Sequence, residues 1–291
     1  MPLQKIFIIL SVVFFTGTFV SCEIINPEEQ IPAYIHIDSI GLNNQNNPEY
    51  GSDSHKITDA WIYIDDQVVG AFELPAKFPV LWKGNHTITI KAGIKVNGMS
   101  ETRAIYPFYE AYSTTIDFTE GNITTLNPVL TYSSSTEFEW EESFEDGGLS
   151  LEETSISNAI LEKTDSVPEV FEGNFSGIAH LDNAHNFFQC KTINSYELPS
   201  GSNPVFLEMN YKTDEEVKIG LLAKSATQTE QLDILVLNKT DVWKKVYVNL
   251  KNAILRTAIS PDNFQIFFEA QKTEGVASSG ILFDNIKLLH N

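Results

Sequence analysis

The chain reads as all-β, folded into two consecutive β-sandwich domains, and three features predict this. Two-residue alternation recurs, most cleanly over 86–91, where Ile88 and Ile90 face one way and Thr87, Thr89 and Lys91 the other. A series of short strand-like runs, separated by polar turns, fills the second half of the chain. Between the halves, Ser133-Ser134-Ser135 and then Glu137, Glu139, Glu141 and Glu142 interrupt the pattern and mark a boundary.

Residues 1–21 read as a secretory signal. Lys5 supplies a basic start, and 6–19 is an almost unbroken apolar run. That run is shorter than the roughly 20 residues a membrane-spanning helix needs. Val20-Ser21-Cys22 resembles the lipobox of bacterial lipoproteins, with Phe19 where Leu is usual. The resemblance implies that Cys22 carries a covalent lipid such as palmitate and anchors the protein to a membrane. The alternative is an ordinary signal peptide with an incidental cysteine. Residues 22–31 form an acidic tether in which Pro27, with Pro32 just beyond, blocks a helix. Glu28-Glu29 behind the cysteine resembles the surface-export signal of Bacteroidota lipoproteins, which implies an outer-membrane protein facing the cell exterior.

The chain carries a formal net charge of −20, which repels nucleic acid and anionic headgroups, so no nucleic-acid partner is expected. Of its 2 cysteines, Cys190 stands alone if Cys22 is acylated, and no intrachain disulfide is then available.

The first domain is expected over 32–132. Tyr34, Ile35 and Ile37 open it, and a polar loop over 43–48 follows. Runs at 60–64 and 68–72 flank Asp65-Asp66 as a hairpin, whose turn type stays open without a glycine. Pro75 and Pro79 confine 74–79 to a sheet edge. Asn97-Gly98 predicts a second hairpin tip, and Glu120-Gly121-Asn122 separates the last two strands. The run from Asp59 to Gly70, with Leu74-Pro75 and the strand from Leu81 to Ile90, resembles the PEGA type of surface repeat. That resemblance implies a small immunoglobulin-like sandwich. Asp66 stands where the family has a turn glycine, and its Pro-Glu-Gly-Ala core is absent. Tyr106, Phe108, Tyr109 and Tyr112 surround Pro107. Two readings are open: a patch on which a protein partner docks, or the closure of the sandwich core.

Residues 133–142 are expected to be an acidic linker passing into a strand, and 143–291 a jelly roll. Strands are predicted at 177–181, 205–211, 217–223, 232–237, 243–250, 264–270 and 280–289, with a short helix or turn in 251–258. Ser143-Phe144-Glu145-Asp146-Gly147, the strand from Trp243 to Leu250 and the closing strand from Ile281 to Leu288 resemble galactose-binding-like jelly rolls, a build shared with many carbohydrate-binding modules. The resemblance implies a core position for Trp243. It also implies a structural calcium between Glu145 and Asp284, whose hard oxygens suit that ion. The alternative is that Asp284-Asn285 only turns the strand. For a glycan, the loop aromatics Phe187, Phe188 and Tyr196 are the candidate stacking faces.

No catalytic residue is expected. The sequence has no Gly-x-Ser-x-Gly elbow, no His-Glu-x-x-His, no phosphate-cradling glycine loop and no zinc-type cysteine pair. The leading expectation is a non-catalytic binding or scaffold subunit of an outer-membrane assembly, with a protein partner. The alternative is a surface lipoprotein that captures polysaccharide.

Overall fold

The computed structural model describes residues 29–44, 47 and 50–291. The signal segment, Cys22 and the start of the tether lie outside the described residues. The first sandwich comprises β1 (Ala33–Ile37), β2 (Gly41–Leu42), β3 (Asp59–Ile64), β4 (Gln67–Glu73), β5 (Ala76–Val80), β6 (Gly84–Lys95), β7 (Arg103–Ile105), β8 (Tyr112–Phe118), β9 (Ile123–Leu126) and β10 (Val129–Leu130). One sheet runs β4-β3-β6-β7, with β8 also on β6; facing it are β5-β1-β9 and the pair β10-β2. The alternation read from the sequence becomes burial. Ile35 and Ile37, Ile62 and Ile64, and Ile88 and Ile90 are fully buried in one core, while the residues between them face out. The proline-bearing β5 lies at an edge, where a missing N–H costs no ladder bond.

Turn chemistry sets the hairpins. Asp65 and Asp66 have φ of 46° and 63°, the left-handed pair that the right-handed twist of a tight hairpin requires. Asp65 compensates through its carboxylate, which accepts from the Thr87 N–H at 3.0 Å and lies 2.5 Å from His86 Nδ1. Asn97 and Gly98 are also left-handed, but the expected two-residue tip is longer. The Val96 N–H donates to the Thr102 carbonyl, so the connection spans 97–101.

The second sandwich comprises β11 (Glu137–Glu142), β12 (Leu151–Glu153), β13 (Leu161–Thr164), β14 (Ser176–Leu181), β15 (Phe187–Thr192), β16 (Val205–Thr213), β17 (Val217–Lys224), β18 (Thr229–Leu237), β19 (Thr240–Asn249), the short helix α1 (Lys251–Ile254), β20 (Asn263–Gln271) and β21 (Ser279–His290). It is a jelly roll of two sheets: β13-β14-β21-β16-β19 with β11 added to β21, and β12-β15-β20-β17-β18. Leu207, Met209, Val246, Val248, Ile266, Phe268, Phe283 and Leu288 pack between them. The segment read as a loop around Phe187 and Phe188 is instead β15, paired with β20 inside the sheet. A β register forces alternate residues inward, so Phe188 and Cys190 become core.

The two sandwiches meet along a continuous seam. Phe206, Tyr247 and Leu289 point out of the six-stranded sheet of the jelly roll and complete the core of the first sandwich. There they meet Tyr106, Phe108, Tyr109 and Tyr132, with the Tyr106 ring 5.5 Å from Phe206 and 4.8 Å from Tyr247. The 97–101 connection docks as well: the Asn97 N–H donates to the Tyr247 carbonyl at 2.8 Å, and the Asn249 N–H to Asn97 Oδ1 at 2.9 Å.

The seam also encloses charge. Glu208 is fully buried and accepts from the hydroxyls of Tyr106 (2.6 Å) and Tyr132 (3.0 Å), with the Lys245 ammonium 3.0 Å away. Lys287, also fully buried, donates to the carbonyls of Tyr50 and Ser52 and lies over the Tyr132 ring. Burial alone would push Glu208 up. The two ammonium groups and the tyrosine hydroxyl outweigh it and hold the carboxyl below its usual range. Burial drives Lys287 down to about 8. Tyr106, Phe108 and Tyr109 are therefore interior residues that seat one domain on the other, out of reach of an external partner. Tyr112 is half-buried against the same core.

Candidate functional site

The face of the six-stranded sheet that points away from the jelly-roll core is only partly covered by the first sandwich. On β19, Val246 and Val248 face the core, while Tyr247 lies under the seam. The same alternation carries Lys245 and Trp243 onto the outward face. Beyond the seam this face opens into a cleft of about 490 Å³, lined from β16 and β19 by Asn210, Trp243 and Lys245, and from the first sandwich by Ser54 and His55. Phe171, from the loop before β14, closes one side, with its ring 5.3 Å from Trp243 at an interplanar angle of 53°.

The polar groups here are incompletely satisfied. Asn210 Oδ1 accepts from Ser54 Oγ at 3.0 Å, and its amide nitrogen has no partner among the described residues. Trp243 Nε1 and His55 Nδ1 are buried and make no hydrogen bond among the described residues. A polar atom shielded without a partner is costly unless a ligand or water meets it. Burial and the Lys245 ammonium hold His55 below the usual imidazole range, so it is neutral at neutral pH. The chemistry available is that of a binding cleft, with an aromatic wall beside amide, hydroxyl, imidazole and ammonium groups.

Other residues singled out in the sequence lie elsewhere. Phe188 is fully buried in the jelly-roll core and offers no stacking face, which corrects its assignment. Tyr196 is also buried, bridging to Phe264 and stacked near Trp140, and Phe187 is half-buried on β15. Trp243, read as core, is the residue of the cleft. Its parity could have shown this, because Trp243, Lys245 and Tyr247 alternate with the core residues Val246 and Val248. Phe171 and His55 carried no such signal, since both lie in irregular segments.

Glu145 and Asp284 hold separate sets of donors. Glu145 accepts from the N–H groups of Asn174 and Phe175 and from the Asn174 amide. Asp284 accepts from Ser176 Oγ at 2.6 Å and from the Asn285 N–H at 2.7 Å. Among the described residues, no group of three or more His, Cys, Asp or Glu side chains is arranged to hold a metal ion.

No protein-family model and no curated protein sequence matches the chain. Among solved structures, one of carbohydrate-binding modules from the β-sandwich superfamily is similar over 90% of this chain and 99% of its own, at 13% identity and a TM-score of 0.42. A family 11 carbohydrate-binding module from Clostridium thermocellum, in complex with a β-1,3-1,4-mixed-linked tetrasaccharide, aligns over 54% of this chain and 96% of its own. Its identity is 14% and its TM-score 0.38. A xylan-binding domain from family 22 aligns over 54% and 96%, at 8% identity and a TM-score of 0.36.

Proposed function

We propose that this chain is a non-catalytic carbohydrate-binding protein that holds a saccharide in the cleft between its two sandwiches. The observation that carries the reading is the partly buried Trp243 beside Phe171 on the outward face of the jelly-roll sheet, next to Asn210, Ser54 and His55. A pyranose ring has an apolar C–H face and a hydroxyl-bearing edge. An aromatic wall covers the first while nearby amide and hydroxyl groups serve the second. Attachment to a membrane through Cys22, with the binding domains facing the cell exterior, belongs to the same proposal. A scaffold role is the weaker reading, because three of the four aromatics that suggested a docking patch are buried inside the protein.

Affinity electrophoresis and calorimetry of the full chain against a polysaccharide panel test the reading. Removing a central aromatic anchor typically costs about 2 kcal/mol or more, so Trp243→Ala should weaken binding roughly 30-fold while the variant keeps the circular dichroism of the parent protein. Undiminished binding by W243A, or no retention by any polysaccharide, would refute it.

A further inference from the structure

We infer that Glu172, Asp284 and Asn285 form a frame that sets the spacing between the two walls of the cleft. This rests on the binding reading above and adds the residues that hold its geometry. Each wall is tied to a carboxylate in the same way, by a backbone N–H and one serine hydroxyl. On the jelly-roll side, the Phe171 N–H donates to Ser176 Oγ at 3.0 Å, and that hydroxyl donates to Asp284 Oδ2 at 2.6 Å. On the side of the first sandwich, the Ser54 N–H donates to Ser52 Oγ at 2.9 Å, and that hydroxyl donates to Glu172 Oε2. Asn285 joins the two carboxylates. Its N–H donates to Asp284 Oδ1 at 2.7 Å, and its amide nitrogen donates to Glu172 Oε2 at 2.8 Å.

The place of Asn285 has a cause in the sheet. Glu208 pairs with Lys287 and Asn210 with Asp284, so β21 carries one residue more than β16 between those pairs. Asn285 has a φ of 46° there. Such a bulge leaves the extra residue out of the ladder and re-aims its side chain. Asp284 thus stays opposite Asn210 of the cleft, while Asn285 reaches Glu172 in the loop that carries Phe171. Asp284 and Asn285 are almost wholly buried, and neither they nor Glu172 lines the cleft, so they act on a ligand only through its walls. A saccharide that must touch Phe171, Trp243 and Ser54 together binds more tightly when those groups already stand at the right distance.

The test compares Asn285→Gly with the parent protein as full chains. Glycine adopts a left-handed φ without strain, so the bulge can persist while the amide bridge is lost. N285G should keep the circular dichroism of the parent. It should bind the best-retained polysaccharide about 10-fold more weakly, the loss expected when the competent spacing falls to about a tenth of the population. Glu172→Ala should lose as much. E172Q keeps an oxygen to accept from Ser52 and Asn285 and should bind within about 2-fold of the parent. Hydrogen exchange read by mass spectrometry should quicken in both 50–58 and 168–176 in N285G, with the jelly-roll core unchanged. Parental affinity in both N285G and E172A, or unchanged exchange in those two segments, would overturn the frame and leave carbohydrate binding standing. E172Q as weak as E172A would also overturn it, because charge and not the paired hydrogen bonds would then be responsible. Retention of no polysaccharide by the parent would overturn the binding reading instead, and the exchange comparison would still decide whether Asn285 couples the two segments.

Discussion

Replacing Glu208 by Gln isolates the charge at the seam. The amide keeps an oxygen to accept from Tyr106 and Tyr132, so the hydrogen bonds can persist while the negative charge is lost. What remains is Lys245, whose side chain is 2% exposed, and Lys287, which is fully buried, both without their common counter-ion. At 3.0 Å and an effective dielectric constant of about 20, the Glu208–Lys245 attraction is worth about 5 kcal/mol. The burial cost of the carboxylate itself, relieved in the variant, offsets part of this. Breaking a buried pair on one side typically costs about 3–5 kcal/mol. At about 2–4 °C per kcal/mol for a chain of this size, E208Q should melt roughly 10 °C lower, read by calorimetry and by urea unfolding. A cycle with Lys245→Met should show coupling of about 2 kcal/mol or more, because the double variant removes a charge that the single variant strands. A loss under about 1 kcal/mol, or coupling near zero, would refute the claim that the buried Glu208 carboxylate is matched by the Lys245 ammonium.

Two further outcomes follow from buried groups elsewhere. Glu215 is held at about 2 despite burial, by Lys239 at 2.8 Å and by the N–H and hydroxyl of Thr273. Its folded value lies below the ordinary 4.5, so its contribution is complete above pH 4.5 and is lost as pH falls towards 2. Glu215→Gln should cost about 2 kcal/mol at pH 7 and almost nothing at pH 2; a stability–pH curve parallel to that of the parent protein would contradict this. Burial pushes the Cys190 thiol well up and shuts it from solvent, so a thiol reagent should leave it unmodified in the native protein and label it in denaturant. In the full chain, a second thiol labelled in denaturant would mean that Cys22 is present and unacylated, against the proposed anchor.

The sequence by itself determined many of the strands and where several of the turns fall, though not β12, β13 or β15. Two-residue alternation is a property of the single strand, so Ile88 and Ile90 announce a buried face whatever lies opposite. Likewise, Val205–Thr213 shows Leu207 and Met209 on one face and Glu208 and Asn210 on the other. Alternation says only that the two faces differ, not what covers each. Only the tertiary structure placed the first sandwich on part of that face, burying Glu208 completely and leaving Asn210 at the floor of the cleft. The aromatics at 106–109 were ambiguous for the same reason. An aromatic cluster announces a surface to be buried, and whether the covering surface belongs to the same chain depends on how two separately readable domains dock.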